Sequence, residues 1–130
     1  MEVTGHPNAV KVVHGQITPA LRLWKRKVKD SGKLDELKNF THRGLIVTAQ
    51  SDKYDFVARC FFPGLGIDED PVTGSAHTLL TPYWSERLGK PALRARQLSQ
   101  REGLLTCRLQ GDRVLLKGQA VTYLRGMIFI

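Results

Sequence analysis

Cysteine is scarce in this chain of 130 residues: only Cys60 and Cys107 are present, and neither belongs to a Cys-x-x-Cys motif. That scarcity excludes a disulfide framework and leaves no cysteine-based metal site, so no metal is expected. Each cysteine sits inside a strand-like pattern, where a buried free thiol is expected. Long apolar runs are also missing, so no membrane-spanning helix is expected. The opening Met1-Glu2-Val3 has no apolar core of the signal-peptide type, and the expectation is an intracellular, cytoplasmic protein. Aromatic residues make up 8% of the chain, and no zinc finger, helix-turn-helix or aromatic RNA-binding signature is found. Nucleic acid is therefore not an expected partner. Repeats, low-complexity tracts and interdomain linkers are absent as well, which fits one domain at this length.

Positive charge is plentiful. The net charge is +8, and it is uneven: residues 1–50 carry nine Lys or Arg against four acids, whereas residues 51–130 carry eleven against eight. The sharpest cluster is Arg22, Lys25, Arg26, Lys27 and Lys29. A cluster of this kind is either one solvated face of a helix or a patch that attracts phosphate, and the sequence leaves both readings open.

Hydrophobic periodicity places the elements. Ala9 to Val13 reads as a short strand ending near Gly15. Thr18-Pro19 suits a helix start, and Leu21, Trp24 and Val28 follow at helical spacing as far as Gly32. Leu34 to Phe40 suggests another helical turn. Gly44 to Ala49 is rich in β-branched residues and reads as a buried strand, and Tyr54 to Phe62 as a second one across the turn Ser51-Asp52-Lys53. Residues 63–74, with Pro63, Gly64, Gly66, Pro71 and Gly74, read as a loop. A helix over Ser75–Leu88 follows; Ala76, Leu79, Leu80, Tyr83 and Trp84 give it a broad apolar face, Pro82 should bend it, and Gly89 ends it. Leu93–Leu98, Leu104–Leu109, Val114–Leu116 and Gln119–Leu124 read as strands, with Gln110-Gly111-Asp112-Arg113 as a hairpin connection. Several antiparallel strands around one helix make an α+β fold.

The segment Glu69-Asp70-Pro71-Val72-Thr73-Gly74-Ser75-Ala76-His77 concentrates the chemistry. Backbone N–H groups at a helix start lack internal partners, and with the helix dipole they favour a carboxylate or phosphate. Gly74 allows close approach to the backbone, Ser75 can donate or accept a hydrogen bond, and Asp70 can accept a proton. A plainer reading stands beside this one. Asp70 or Thr73 can simply cap the helix, Gly74 can serve a turn, and His77 can be a hydrogen-bonded residue one turn in.

The run Phe62-Pro63-Gly64-Leu65-Gly66-Ile67-Asp68-Glu69-Asp70-Pro71-Val72-Thr73-Gly74-Ser75-Ala76-His77 closely resembles the signature of the phenazine-biosynthesis PhzF-like family. So do Pro82-Tyr83-Trp84, Leu88-Gly89-Lys90 and Gln97-x-Ser99-x-Arg101 downstream, and Arg43 to Ala49 and Tyr54-Asp55-Phe56-Val57-x-Arg59 upstream. The resemblance divides the chain into an unmatched basic segment at 1–32, helical over 19–31, and a PhzF-like C-terminal lobe at 33–130.

The resemblance implies a diaminopimelate epimerase-like fold, in which each of two similar lobes wraps a curved, mostly antiparallel sheet around a central helix and the active site lies between the lobes. It implies an isomerase that moves a proton within a dihydro-hydroxyanthranilate without a cofactor. Carried over by motif, Asp70 and Ser75 are the catalytic residues, while Thr73, Gly74 and Ala76 line the substrate. The family's main acid–base glutamate belongs to the first lobe and has no counterpart found here; Glu86 is too far along the helix. Gly5-His6-Pro7 superficially resembles a first-lobe Gly-His motif but is read as lacking a flanking strand and helix. Arg101-Glu102-Gly103 stands where the family has Arg-Gly-Gly. One lobe alone would expose an apolar face, so a symmetric homodimer is expected, with a carboxylate-bearing small molecule as substrate. A carboxylate-binding protein without turnover, or a PhzF-like product without activity, is the alternative.

Overall fold

The computed structural model describes residues 2–5, 10–14 and 44–129. The helix expected over 19–31, the basic cluster on it and the turn at Leu34–Phe40 lie outside these residues. Among the described residues, eight strands form one sheet: β1 (Glu2–Gly5), β2 (Val10–His14), β3 (Gly44–Gln50), β4 (Phe56–Phe62), β5 (Ile67–Asp70), β6 (Ala92–Gln97), β7 (Gly103–Gln110) and β8 (Arg113–Lys117). The single helix among the described residues is α1 (Gly74–Leu88). The sheet order is β1-β2-β3-β4-β6-β7-β8, with β5 beside β4. Two pairings, β2–β3 and β4–β6, are parallel, and the other five are antiparallel. The architecture is the α+β arrangement expected from the sequence.

Strand β4 is buried along its whole length, as suits Phe-Val-Ala-Arg-Cys-Phe-Phe in the middle of a sheet. Its far edge is shared. Residues Phe56–Ala58 pair in parallel with Ala95–Gln97 of β6, and Cys60 and Phe62 pair antiparallel with Asp70 and Ile67 of β5. Strands β5 and β6 therefore run toward each other along one edge, and their C-terminal ends meet between Ala58 and Cys60.

Helix α1 lies on the inner face of this sheet. Ala76, Leu80 and Trp84 recur every fourth residue and pack against Ile46, Phe56, Ala58, Cys60, Leu93, Ala95, Leu105 and Cys107. The Trp84 indole stacks on Phe56 at 5.9 Å between centroids and donates to Thr48 Oγ1 at 2.9 Å, while Thr48 in turn donates to the Val57 carbonyl at 2.8 Å. The indole is thereby buried with its polar edge satisfied. Pro82 falls on the exposed side, and the helix continues through it to the left-handed cap at Gly89. Both cysteines are free and buried, as expected.

Three expectations are corrected. Residues 63–74 are not all loop: they contain a 3-10 turn (Pro63–Leu65) and strand β5. The Ile-Asp-Glu-Asp sequence of β5 has poor strand propensity, and it becomes a strand because β4 offers an edge and Arg59 binds Glu69. Gln119–Leu124 is not a strand: residues 118–129 are exposed and pair with nothing in the sheet, so β propensity alone does not order them into a ladder. The strand judged missing beside Gly5-His6 is present, since β1 ends at Gly5.

Candidate functional site

The meeting point of β5 and β6 sets the position of the segment that carries the chemistry. On one side, Arg59 reaches from β4 to Glu69 with two parallel bonds of 2.7 Å, Nε to Oε1 and Nη2 to Oε2. Arg59 is 3% exposed and stacks over Phe61 at 5.1 Å, so this pair is nearly withdrawn from water and fixes β5 in direction. On the other side, Ser99 donates to the Pro71 carbonyl at 2.7 Å and accepts from the Glu102 N–H at 2.8 Å.

Between them lies the side chain of Gln97. It is fully buried, and its Oε1 accepts the Thr73 N–H at 2.8 Å. Its Nε2 donates to the Asp70 carbonyl at 2.7 Å and to Thr73 Oγ1 at 3.1 Å. The Thr73 hydroxyl then donates to Asp70 Oδ2. Cys60, opposite Asp70 in the ladder, also meets the Thr73 hydroxyl; burial pushes its thiol up to about 12, so it stays protonated and unreactive.

The candidate residues fall into two groups. Asp70, half-buried, and Thr73, buried, are held together by their side chains. Thr73 occupies the N-cap position of α1 without bonding the helix N–H groups through its side chain. Its hydroxyl is turned to Asp70 instead, which sets aside the plain capping reading for that group. Gly74 and Ser75 are exposed at the mouth of the helix. A Cβ on Gly74 would meet only Leu116 Cδ1, at 3.9 Å, so packing does not demand a glycine there. The Ala76 side chain is in the core, so only its backbone faces the helix mouth. The backbone N–H groups of Gly74, Ser75 and Ala76 form the first helical turn, where intrahelical acceptors are lacking.

His77 is hydrogen-bonded one turn into the helix, with Nδ1 2.8 Å from the Thr73 carbonyl. A carbonyl only accepts, so Nδ1 carries the proton. Burial holds its pKa below the usual imidazole range, against the opposing effect of that hydrogen bond. Among the described residues there is no group of three or more His, Cys, Asp or Glu suited to a metal ion.

Sequence reasoning did not assign a role to Gln97. A signal was available. In β6, Leu93, Ala95 and Gln97 alternate as the buried face with the solvent-facing Ala92, Arg94 and Arg96, so a glutamine stands at a core position. A polar group there must find partners inside the protein.

Glu102 has a φ of +61°, in the left-handed region. That is the conformation a glycine adopts readily, in keeping with the glycine found there in the family motif. Its carboxylate pairs with Arg96, which raises the Arg96 pKa.

Known proteins share the sequence and fold of this chain. An uncharacterized isomerase of Halalkalibacterium halodurans is 53% identical over 96 residues, which is 72% of this chain and 36% of that protein. An uncharacterized isomerase of Pseudomonas aeruginosa is 50% identical over 94 residues, again 72% of this chain and 36% of the relative. The chain thus spans about a third of the length of these curated relatives. The crystal structure of a phenazine biosynthesis PhzC/PhzF protein from Clostridium difficile superposes with a TM-score of 0.72 at 38% identity, covering 93% of this chain and 45% of that one. The sequence profile of the phenazine biosynthesis-like proteins, PhzC-PhzF, matches residues 16–126. With the fold, the motif and the profile in agreement, this chain belongs to the PhzC-PhzF family of phenazine biosynthesis-like proteins.

Proposed function

We propose that this chain is one lobe of a PhzF-like isomerase that moves a proton within a carboxylate-bearing small molecule without a cofactor. The observation that carries the reading is the Asp70 carboxylate fixed by Thr73 beside the open first turn of α1. In this reading the N–H groups of Gly74, Ser75 and Ala76 hold the substrate carboxylate, and Ser75 orients it. Asp70 takes a proton from one carbon, and a proton is returned at another, so that bonds shift and no oxidant is needed. The family relationship supports an isomerase in kind; the substrate and the proton's path are our proposal.

The site is completed, in this reading, by a second copy of the chain in a homodimer that faces the helix mouth. Exposed apolar side chains on the described surface support a covering partner: Leu65, Ile67, Leu104 and Leu115 are 57%, 43%, 56% and 54% exposed. A soluble, cytoplasmic setting fits such an enzyme.

The test is deuterium uptake from D2O into a dihydro-hydroxyanthranilate and into a panel of amino acids, read by mass spectrometry. Uptake that vanishes in Asp70→Asn supports the reading, and undiminished uptake in that variant removes Asp70 from it. Binding without uptake, seen by ligand-detected NMR, selects the alternative of a carboxylate-binding protein. Light scattering at low concentration should give twice the 14.6 kDa chain mass; a stable monomer would remove the homodimer.

A further inference from the structure

Gln97 has a hydrogen-bond geometry that admits one polarity. The Thr73 N–H can only donate and the Asp70 carbonyl can only accept. Their distances of 2.8 Å and 2.7 Å to the two ends of the Gln97 amide fix Oε1 at Thr73 and Nε2 at Asp70. A flipped amide would set N–H against N–H and oxygen against oxygen. With the amide fixed, Nε2 also points at Thr73 Oγ1, and nitrogen bearing two protons cannot accept. The Thr73 oxygen must accept there, so its own proton is left for Asp70 Oδ2. The Cys60 thiol also meets this hydroxyl, but sulfur is a weak acceptor beside a carboxylate and does not compete for the proton. The Thr73 carbonyl is taken by His77 Nδ1, so the residue is anchored at N–H, carbonyl and hydroxyl together.

We infer that Gln97 is a positioning residue for the reaction: acting through Thr73, it directs the hydroxyl proton onto Asp70 Oδ2 and leaves Oδ1 as the oxygen that meets substrate. The inference rests on the proposed role of Asp70, yet the hydrogen-bond polarity can be tested without turnover. A glutamine that merely filled space would not need a particular end of its amide at Thr73. Here both backbone groups select the end, and the consequence is delivered to a carboxylate at the helix mouth. The backbone does the selecting because β5 and β6 end tip to tip, which brings Asp70, Thr73 and Gln97 within reach of one another.

The test uses the full chain labelled with 13C and 15N. In a mixture of H2O and D2O, the Asp70 carboxyl carbon should show two signals, one for each isotope on the Thr73 hydroxyl. Thr73→Ser should keep the doubling and Thr73→Val should lose it. Gln97→Glu should also lose it, because the introduced carboxylate attracts the hydroxyl proton away from Asp70. Doubling that persists in Gln97→Glu, or that is missing from the unmodified chain, overturns the inference whatever the activity. Should Gln97→Glu not fold, the unmodified chain decides the polarity: deuteration of the Gln97 Nε2 amide should shift the Asp70 backbone carbonyl carbon, and no such shift overturns the inference. Where deuterium uptake is found, Gln97→Glu should lower kcat about tenfold or more with KM little changed. An equal fall in binding of substrate would instead mark a purely structural glutamine. Doubling as expected but no uptake in any protein leaves the polarity standing and removes the proposed isomerase.

Discussion

Gly103 lies directly against Val72. A Cβ built on Gly103 would stand 3.2 Å from Val72 Cβ and 3.1 Å from Cγ1, and closer still to Cγ2. The first residue of β7 is thus packed on the strap that joins β5 to the helix, with no room for a side chain. Gly103→Ala should destabilise the protein by about 1–3 kcal/mol, the usual cost of overpacking. Adding Val72→Ala should recover most of that loss, and thermal or urea unfolding of the single and double variants checks it. Additive losses would show that the contact is not the cause.

The buried chain from Trp84 through Thr48 to Val57 makes a second prediction. Thr48→Val keeps the shape but leaves the indole N–H and the Val57 carbonyl without this partner. The expected cost is about 1–3 kcal/mol in urea unfolding, with little change in the slope of the transition. A loss near zero would show that the indole finds another acceptor.

Glu102 combines a left-handed backbone with an exposed ion pair to Arg96. Relief of a left-handed non-glycine residue is worth roughly 1–2 kcal/mol, and exposed pairs contribute about 0–1 kcal/mol. Glu102→Gly should therefore leave the protein as stable or slightly more so. Glu102→Ala keeps the strain and loses the pair, so it should be the less stable of the two. Ranking their unfolding midpoints decides the point.

His77 gives stability an acid dependence. Its folded pKa is depressed by burial, whereas the unfolded chain takes up the proton at about pH 6.5. Below that pH the unfolded state binds more protons, so stability contributed by the neutral ring is present above it and is lost as the pH falls toward the folded value. His77→Gln should flatten this part of the stability–pH curve. The difference between the two curves, measured from pH 7 to pH 5, isolates the residue from other histidines.

The thiols should be silent. Burial pushes Cys60 up to about 12 and raises Cys107 too. Neither should react with a thiol reagent at pH 8 in the folded chain, and both should react at once in denaturant. Rapid labelling of the native protein would reveal an opening of the core.

Much of the fold was legible because its signals are local. The Gly44–Ala49 run, the apolar face of α1 and the Gly89 stop each follow from a few adjacent residues, and the structure places β3, α1 and the cap within a residue or two of them. Strand β5 was not legible. Its two bonds to Arg59 come from a residue ten positions earlier, and the Pro and Gly residues on either side of it read as loop. Gln119–Leu124 failed in the opposite way: Val121, Thr122 and Tyr123 favour a strand, but no strand among the described residues pairs with it. At the site, Asp70 and Thr73 could be named from the motif. The glutamine between them could not be ranked without knowing that β6 ends beside β5.

The shared edge of β4 has one further consequence. Because β5 and β6 approach each other from opposite ends, neither can gain a residue at its tip without colliding with the other. The junction is therefore sensitive to changes of length in either strand. Among the described residues, the turn at 63–66 lies away from this junction, whereas 98–102 is tied to it by Leu98 and Ser99. A longer turn at 63–66 should therefore leave the carboxylate in place, while a change of length at 98–102 should displace it.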